Sequence, residues 1–123
     1  MGQPVVHFEI IGQDAEKLGR YYSQLFGWDV DANNEMKYGM VQREANLTSE
    51  GVGIGGGIAA GPPGYEGHVT FYVEVPDVEA TLAQAERLGG TRLMGPETVM
   101  DRMILGHLRD PEGHIVGIIQ TSI

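Results

Sequence analysis

The residues that could carry acid–base or metal chemistry are histidines and a carboxylate on two short apolar segments. His7 and Glu9 stand two apart in a segment rich in β-branched and aromatic residues, so in a β-strand their side chains share one face. Glu9 is the candidate general base with His7 beside it, and a salt-bridged structural carboxylate is the alternative. His68, Thr70 and Tyr72 share one face of a second such segment.

The other motifs are weaker indications of a catalytic or cofactor-binding site. Gly51, Gly53 and Gly56 satisfy GxGxxG, but no helix pattern follows them, so close approach of a ligand or a neighbouring strand explains these glycines better than a dinucleotide does. Tyr38 is a candidate pocket residue, with a core position as the alternative. The chain has no cysteine, which excludes disulfides and thiolate nucleophiles, and no nucleophile-elbow motif is present.

Two amphipathic helices position these residues. Asp14 and Asp77 stand where N-caps belong, each ahead of apolar residues at helical spacing, and glycines end both patterns. Sliding the chain by 63 residues superimposes the two segments and sets Asp14 on Asp77. The sequence therefore predicts two copies of one structural module.

Turn and strand signals complete each half. Short strands are predicted around residues 28–31, 37–43 and 51–58, and again near residues 91–93, 103–108 and 115–120. The stretch AAGPPGYEG at residues 59–67 is the clearest linker. We expect a single domain over residues 1–123, with module 1 over about 1–58 and module 2 over about 68–123.

The predicted fold class is α+β. Each half follows the order strand, helix, strand, strand, strand, so two tandem βαβββ modules would form curved mixed sheets around a concave site. The formal charge of −9 argues against nucleic acid as a partner. Concentrated in a cleft, this charge would mildly favour a cationic ligand, and solubility alone is the alternative explanation, which we favour. No segment has the apolar length of a membrane span or the pattern of a signal peptide, so we expect a cytoplasmic protein.

With the repeat, the capped helices and the segments YYSQLFGW, FYVEVPDVEATLAQAERLGG and DPEGHIVGI, the chain resembles the vicinal oxygen chelate superfamily. That superfamily contains glyoxalase I, extradiol dioxygenases, and the fosfomycin and bleomycin resistance proteins. The resemblance covers essentially the whole chain. It implies paired βαβββ modules wrapped around a site, and commonly a homodimer.

The resemblance also implies His or Glu ligands on the first and last strands of each module in metal-using members. The first-strand positions are His7 and Thr70, and the last-strand positions are Gly55 and Gly117. His68 is offset by one pleat, roughly 6.6–6.8 Å along the strand. Because glycine supplies no side-chain ligand, we expect no metal cofactor.

Two hypotheses of different class follow. The first is a metal-free protein that binds a small organic or cationic ligand in the concave cleft, through the residues named above: His7, Glu9, Tyr38, Gly55, His68, Thr70, Tyr72 and Gly117. The second is an enzyme. It would be a glyoxalase-like lyase or dioxygenase-like protein with Fe, Mn, Ni or Zn held by His7, His68 and Glu9, or a metal-free acid–base catalyst.

Overall fold

The computed structural model describes residues 2–121 and contains two helices and seven strands over that range. In chain order the elements are β1 (Val5–Gly12), α1 (Ala15–Phe26), β2 (Gly39–Val41), β3 (Gly55–Ala60), β4 (His68–Glu74), α2 (Val78–Arg87), β5 (Thr91–Val99), β6 (Met103–Arg109) and β7 (Ile115–Gln120), with a short 3₁₀ helix at Arg43–Ala45. The predicted α+β class is confirmed. No helix in the described range is long and apolar enough to cross a membrane.

The chain divides into two compact units. One is His7–Val69, and the other joins the residues before His7 to those from Thr70 onward. In the His7–Val69 unit, β3 lies between β1 and β2, parallel to β1 and antiparallel to β2. In the other unit, β7 pairs in parallel with β4 and antiparallel with β6, which pairs in turn with β5.

Both helices begin and end as their sequences predict. The Asp14 side chain accepts a hydrogen bond from the Lys17 amide, and Asp77 accepts one from the Ala80 amide. Such N-caps satisfy amides that have no partner within the helix. After α1, Gly27 adopts a left-handed conformation with φ of 74°, which glycine reaches without steric cost.

Each helix covers a separate core. Val78 and Leu82 of α2 are fully buried with Val75 and Ile118. A Cβ atom on Gly106 would lie 2.9 Å from Val78, so this glycine lets α2 approach β6 closely. In the His7–Val69 unit the buried residues are Ile10, Val41 and Ile58, with Leu18, Tyr22, Trp28, Val30 and Phe8 packed against them.

The prediction of four strands in each half, eight in all, is wrong at one place within residues 2–121. The strand expected at residues 28–31 is reduced to a single bridge between Asp31 and Met40. The Trp28 ring packs against the Phe8 ring, with 5.1 Å between their centroids. The Asp31 side chain begins a turn by accepting a hydrogen bond from the Asn33 amide. Both features take residues 28–33 out of a regular ladder.

Candidate functional site

The site in the His7–Val69 unit is built on the face of β1 that His7 and Glu9 share. The parallel register sets His7 beside Gly55 and Glu9 beside Gly57 on β3. Phe8 and Ile10 point to the opposite face and pack in the core under α1. The strand pattern VVHFEII therefore presents two polar side chains on one face and anchors them with apolar ones on the other.

Five side chains form one hydrogen-bonded chain on this face, here called the polar cluster: His7, Glu9, Tyr38, Tyr65 and His68. The Tyr38 hydroxyl lies 2.9 Å from His7 Nε2 and 3.1 Å from Glu9 Oε1. The second carboxylate oxygen of Glu9 lies 3.0 Å from His68 Nε2, and His68 Nδ1 lies 2.5 Å from the Tyr65 hydroxyl. Both oxygens of one carboxylate are thus engaged.

Glu9 is the hydrogen-bond acceptor at the centre of the polar cluster. An ionised carboxylate only accepts, so Tyr38 donates its hydroxyl proton to Oε1, and the Tyr38 oxygen can then accept from His7 Nε2–H. On the other side His68 donates Nε2–H to Oε2, and the Tyr65 hydroxyl forms a hydrogen bond with His68 Nδ1. Glu9 is 7% exposed, so the group at the centre is a buried acid.

Tyr38 reaches Glu9 by lying over a glycine. A Cβ atom at Gly57 would overlap the Tyr38 ring and its hydroxyl, so no side chain other than hydrogen fits there while Tyr38 holds this position. The Tyr38 and His7 rings are stacked, with centroids 6.1 Å apart and planes 17° apart. Gly57 therefore provides the space through which Tyr38 joins the polar cluster.

Burial controls the protonation of His7. Desolvation lowers the pKa of His7 below its ordinary value of 6.5, and the negative charge of Glu9 opposes that shift with a smaller effect. His7 is accordingly neutral at pH 7, which suits the arrangement in which Nε2 donates to Tyr38. The His7 imidazole is therefore a neutral group at pH 7 rather than a fixed cation.

The second unit contains a related arrangement. Tyr72 on β4 lies beside Gly117 on β7, which in turn lies opposite His107 on β6. The Tyr72 ring extends over Gly117, and its hydroxyl lies 2.6 Å from His107 Nε2. Thr70 is also buried, and its hydroxyl donates to the Ile115 carbonyl at 2.5 Å.

The two registers show which glycines correspond. Sixty-three residues separate Glu9 from Tyr72 on the first strands, but their parallel partners Gly57 and Gly117 are 60 residues apart. The counterpart of Gly117 is therefore Gly57. Gly55 has a different surrounding, because a Cβ atom there would lie 2.7 Å from the Val41 carbonyl oxygen, so the glycine accommodates main chain.

The donor atoms of the polar cluster are not arranged around a metal position. Among residues 2–121, no three His, Cys, Asp or Glu side chains converge in a way that could hold a metal ion. His7 Nε2 faces Tyr38, and His68 Nε2 faces Glu9. In this arrangement His7, Glu9 and His68 do not fit the divalent metal that the sequence left as an alternative.

A cavity of about 940 Å³ lies elsewhere in the His7–Val69 unit and contains none of the predicted site residues. It is lined by α1, by the loop before β2 and by the end of β3. Its floor includes Val30, Met36 and Ile58, and residues of both charges stand at its edge. Ile58 belongs to the α1 face of β3, opposite Gly57. We place the candidate site at the polar cluster, because a buried carboxylate with two donors is a more specific feature than an open groove of mixed charge.

The structure joins four of the predicted site residues by hydrogen bonds and shows two further contacting residues, one in each unit, that were not among the predicted site residues. His7, Glu9, Tyr38 and His68 are joined by hydrogen bonds, whereas Thr70, Tyr72 and Gly117 belong to the other unit. The two missed residues are Tyr65, within the predicted linker, and His107, within a predicted strand. Tyr65 stands three residues before His68, and that spacing was the available signal.

Comparisons with known proteins agree on the family. The chain is 32% identical over 121 residues to "Putative glyoxylase CFP32" of Mycobacterium bovis and of Mycobacterium tuberculosis, which covers 95% of this chain and 44% of those proteins. The chain thus spans less than half the length of these relatives.

Solved structures share the fold. Methylmalonyl-CoA epimerase of Streptomyces coelicolor, in complex with 2-nitronate-propionyl-CoA, superposes with a TM-score of 0.62 at 19% identity, over 98% of this chain and 99% of that one. A glyoxalase/bleomycin resistance protein/dioxygenase superfamily member from Vibrio splendidus gives a TM-score of 0.58 at 15% identity, over 97% and 99%. The family model of the Glyoxalase/Bleomycin resistance protein/Dioxygenase superfamily matches residues 5–118, and the chain belongs to that superfamily.

Proposed function

We propose that this protein binds a small organic molecule without a metal, through the face of β1 that carries His7 and Glu9. The observation that supports this proposal is the buried Glu9 carboxylate, 7% exposed, with one oxygen held by Tyr38 and the other by His68. We further propose that the ligand carries a positive charge or a strong hydrogen-bond donor.

Charge favours a cationic ligand. The polar cluster contains no Lys or Arg, and its donors are tyrosine hydroxyls and imidazoles. Burial of a carboxylate has a desolvation cost, which hydrogen bonds and nearby positive charge offset. A cationic group placed beside Glu9 would offset that cost, and the net charge of −9 would attract such a ligand over longer distances.

The tyrosine over Gly57 supports binding without a metal. In metal-using relatives of the kind that the sequence resembles, a carboxylate on the last strand of the module would hold the ion. Here that strand carries glycine, and the Tyr38 ring lies over Gly57 and hydrogen-bonds to Glu9 and His7. The same replacement in the second unit, with Tyr72 over Gly117, points in the same direction.

Acid–base catalysis is the second candidate function, and the two-sided arrangement around Glu9 favours it. A buried carboxylate can accept a proton from a bound molecule, and hydrogen bonds through the Tyr38 hydroxyl connect it to the neutral His7. His7, whose pKa burial lowers, is a suitable acceptor at neutral pH. A ligand bound in D₂O would then exchange an acidic C–H proton, which proton NMR detects, and exchange would be lost in Glu9→Gln.

The binding proposal is tested by thermal unfolding with paired ligands. Small organic cations and their neutral isosteres are added to wild type, Glu9→Gln, and the control Glu16→Gln, whose side chain is 91% exposed. A ligand at 100 times its Kd stabilises by about 2.7 kcal/mol, on the order of 10 °C in Tm for a domain of this size. We expect cations to stabilise wild type and Glu16→Gln but not Glu9→Gln.

Equal stabilisation of all three proteins would show that the ligand does not use Glu9 and would overturn the proposed site. The homodimer and the cytoplasmic location expected from the sequence remain predictions. Light scattering of the purified protein measures the first directly.

A further inference from the structure

The loop before β2 holds Tyr38 by its main chain. The Asn34 side chain makes two hydrogen bonds to that one residue: Oδ1 accepts from the Tyr38 amide at 3.0 Å, and Nδ2 donates to the Tyr38 carbonyl oxygen at 2.7 Å. The Asn34 side-chain amide therefore hydrogen-bonds to both the N–H and the C=O group of Tyr38. Since β2 begins only at Gly39, this side chain takes the place of a neighbouring strand for Tyr38.

The same loop contains an unfavourable main-chain conformation. Lys37 has φ of 52°, in the left-handed region that is sterically unfavourable for a residue with a Cβ atom. Its amide donates to the Asn34 carbonyl oxygen at 3.1 Å. Asn34 therefore holds residues on both sides of the bond between Lys37 and Tyr38, and these contacts oppose relaxation of the strained residue.

The position of the Tyr38 hydroxyl depends on this loop. The hydroxyl must lie 2.9 Å from His7 and 3.1 Å from Glu9 while the ring passes over Gly57. A shift of the Tyr38 main chain by about 1 Å would break hydrogen bonds of this length. Asn34 itself is exposed and belongs to no core cluster, so its contacts serve local geometry rather than burial.

We propose that Asn34 is the positioning residue of the polar cluster, which fixes the Tyr38 hydroxyl against His7 and Glu9 through its two hydrogen bonds to the Tyr38 main chain. The ligand-binding role of the cluster rests on the proposed function above. The positioning role does not, and it can be measured on the protein without any ligand.

The test is an NMR pH titration of the histidine Cε1–H resonances in wild type, Asn34→Ala and Tyr38→Ala. Loss of Tyr38 from the cluster exposes His7 to water, which relieves the desolvation that lowers its pKa. It also removes the hydrogen bond that Tyr38 donates to Glu9, so the Glu9 charge raises the pKa of His7 more strongly. We expect the pKa of His7 to move upward in Asn34→Ala, in the same direction as in Tyr38→Ala. His114, at 71% side-chain exposure, serves as the internal reference.

Asn46→Ala is the matched control. Asn46 is half-buried, and its Nδ2 donates to the main-chain carbonyl of Gln42, four residues away, at 2.7 Å, a residue outside the polar cluster. We expect its His7 titration to match wild type. An unchanged His7 titration in Asn34→Ala, or an equal shift in Asn46→Ala, would overturn the positioning role.

Ligand binding separates this inference from the proposed function. For a ligand that requires Glu9, we expect affinity to fall about tenfold in Asn34→Ala and to be unchanged in Asn46→Ala. If His7 responds as expected and no ligand requires Glu9, the positioning role stands and the proposed function fails. If binding through Glu9 and the His7 titration both survive Asn34→Ala unaltered, the proposed function stands and the positioning role fails.

Discussion

Replacing Gly57 with alanine sets a methyl group against the ring that completes the polar cluster. The added Cβ would overlap Cε2, Cζ and the hydroxyl of Tyr38. These atoms belong to a rigid ring, so the clash cannot be relieved by a small torsion of a flexible chain end. Tyr38 has to leave its place, and its contacts with His7 and Glu9 are lost with it.

The cost follows from those two hydrogen bonds. The bond to the Glu9 carboxylate contributes about 1.5–3 kcal/mol and the bond to the His7 imidazole about 0.5–1.5 kcal/mol. Alanine in place of glycine returns about 0.4–1 kcal/mol by restricting the unfolded chain. We therefore expect Gly57→Ala to lower the free energy of unfolding by about 1–4 kcal/mol.

Urea unfolding at equilibrium measures this change, with an unaltered m-value as the check that the two-state treatment holds. Gly19→Ala is the control within the same unit. Gly19 lies inside α1, and the nearest atom to a new Cβ there would be Val30 Cγ1 at 3.6 Å, an ordinary contact, so we expect stabilisation by about 0.5–1 kcal/mol. Wild-type stability in Gly57→Ala would refute the placement of Tyr38.

Three further predictions concern the caps, the core and pH. Asp14→Ala and Asp77→Ala should each lower the free energy of unfolding by about 1 kcal/mol in urea, because each removes the acceptor of an N-cap hydrogen bond. Leu82→Ala should lower the free energy of unfolding by about 2–5 kcal/mol by the same measurement, since the Leu82 side chain of α2 is fully buried. His7 should make stability depend on pH: its folded pKa lies below 6.5, so its contribution is complete above pH 6.5 and is lost as pH falls towards the folded pKa. His7→Gln should flatten that part of the urea-derived pH profile.

Local signals in the sequence predicted the helices correctly. Asp14 and Asp77 precede amphipathic patterns, and the cap geometry depends only on residues within one turn. The strand expected at residues 28–31 failed because Trp28 packs on Phe8, a contact that local propensity does not encode. Short β segments between turns depend on such distant contacts more than helices do.

The candidate site was predictable as a set of residues but not as a geometry. Alternation along β1 placed His7 and Glu9 on one face, and the structure joins them through Tyr38. The partner of Glu9 on β3 depends on the register between two strands separated by a helix and a long loop. The repeat alignment selected Gly55, whereas the pairing sets Gly57 beside Glu9 and beneath Tyr38.

Metal content tests the central claim most directly. Protein purified without an affinity tag is analysed for bound metal and then titrated with Ni²⁺, Mn²⁺, Fe²⁺ and Zn²⁺. The side chains of the polar cluster hydrogen-bond to one another, so we expect less than one equivalent of any ion per chain. Any small amount of metal bound to the wild type should be bound equally by His7→Ala. One tightly bound equivalent that disappears in His7→Ala would contradict the account.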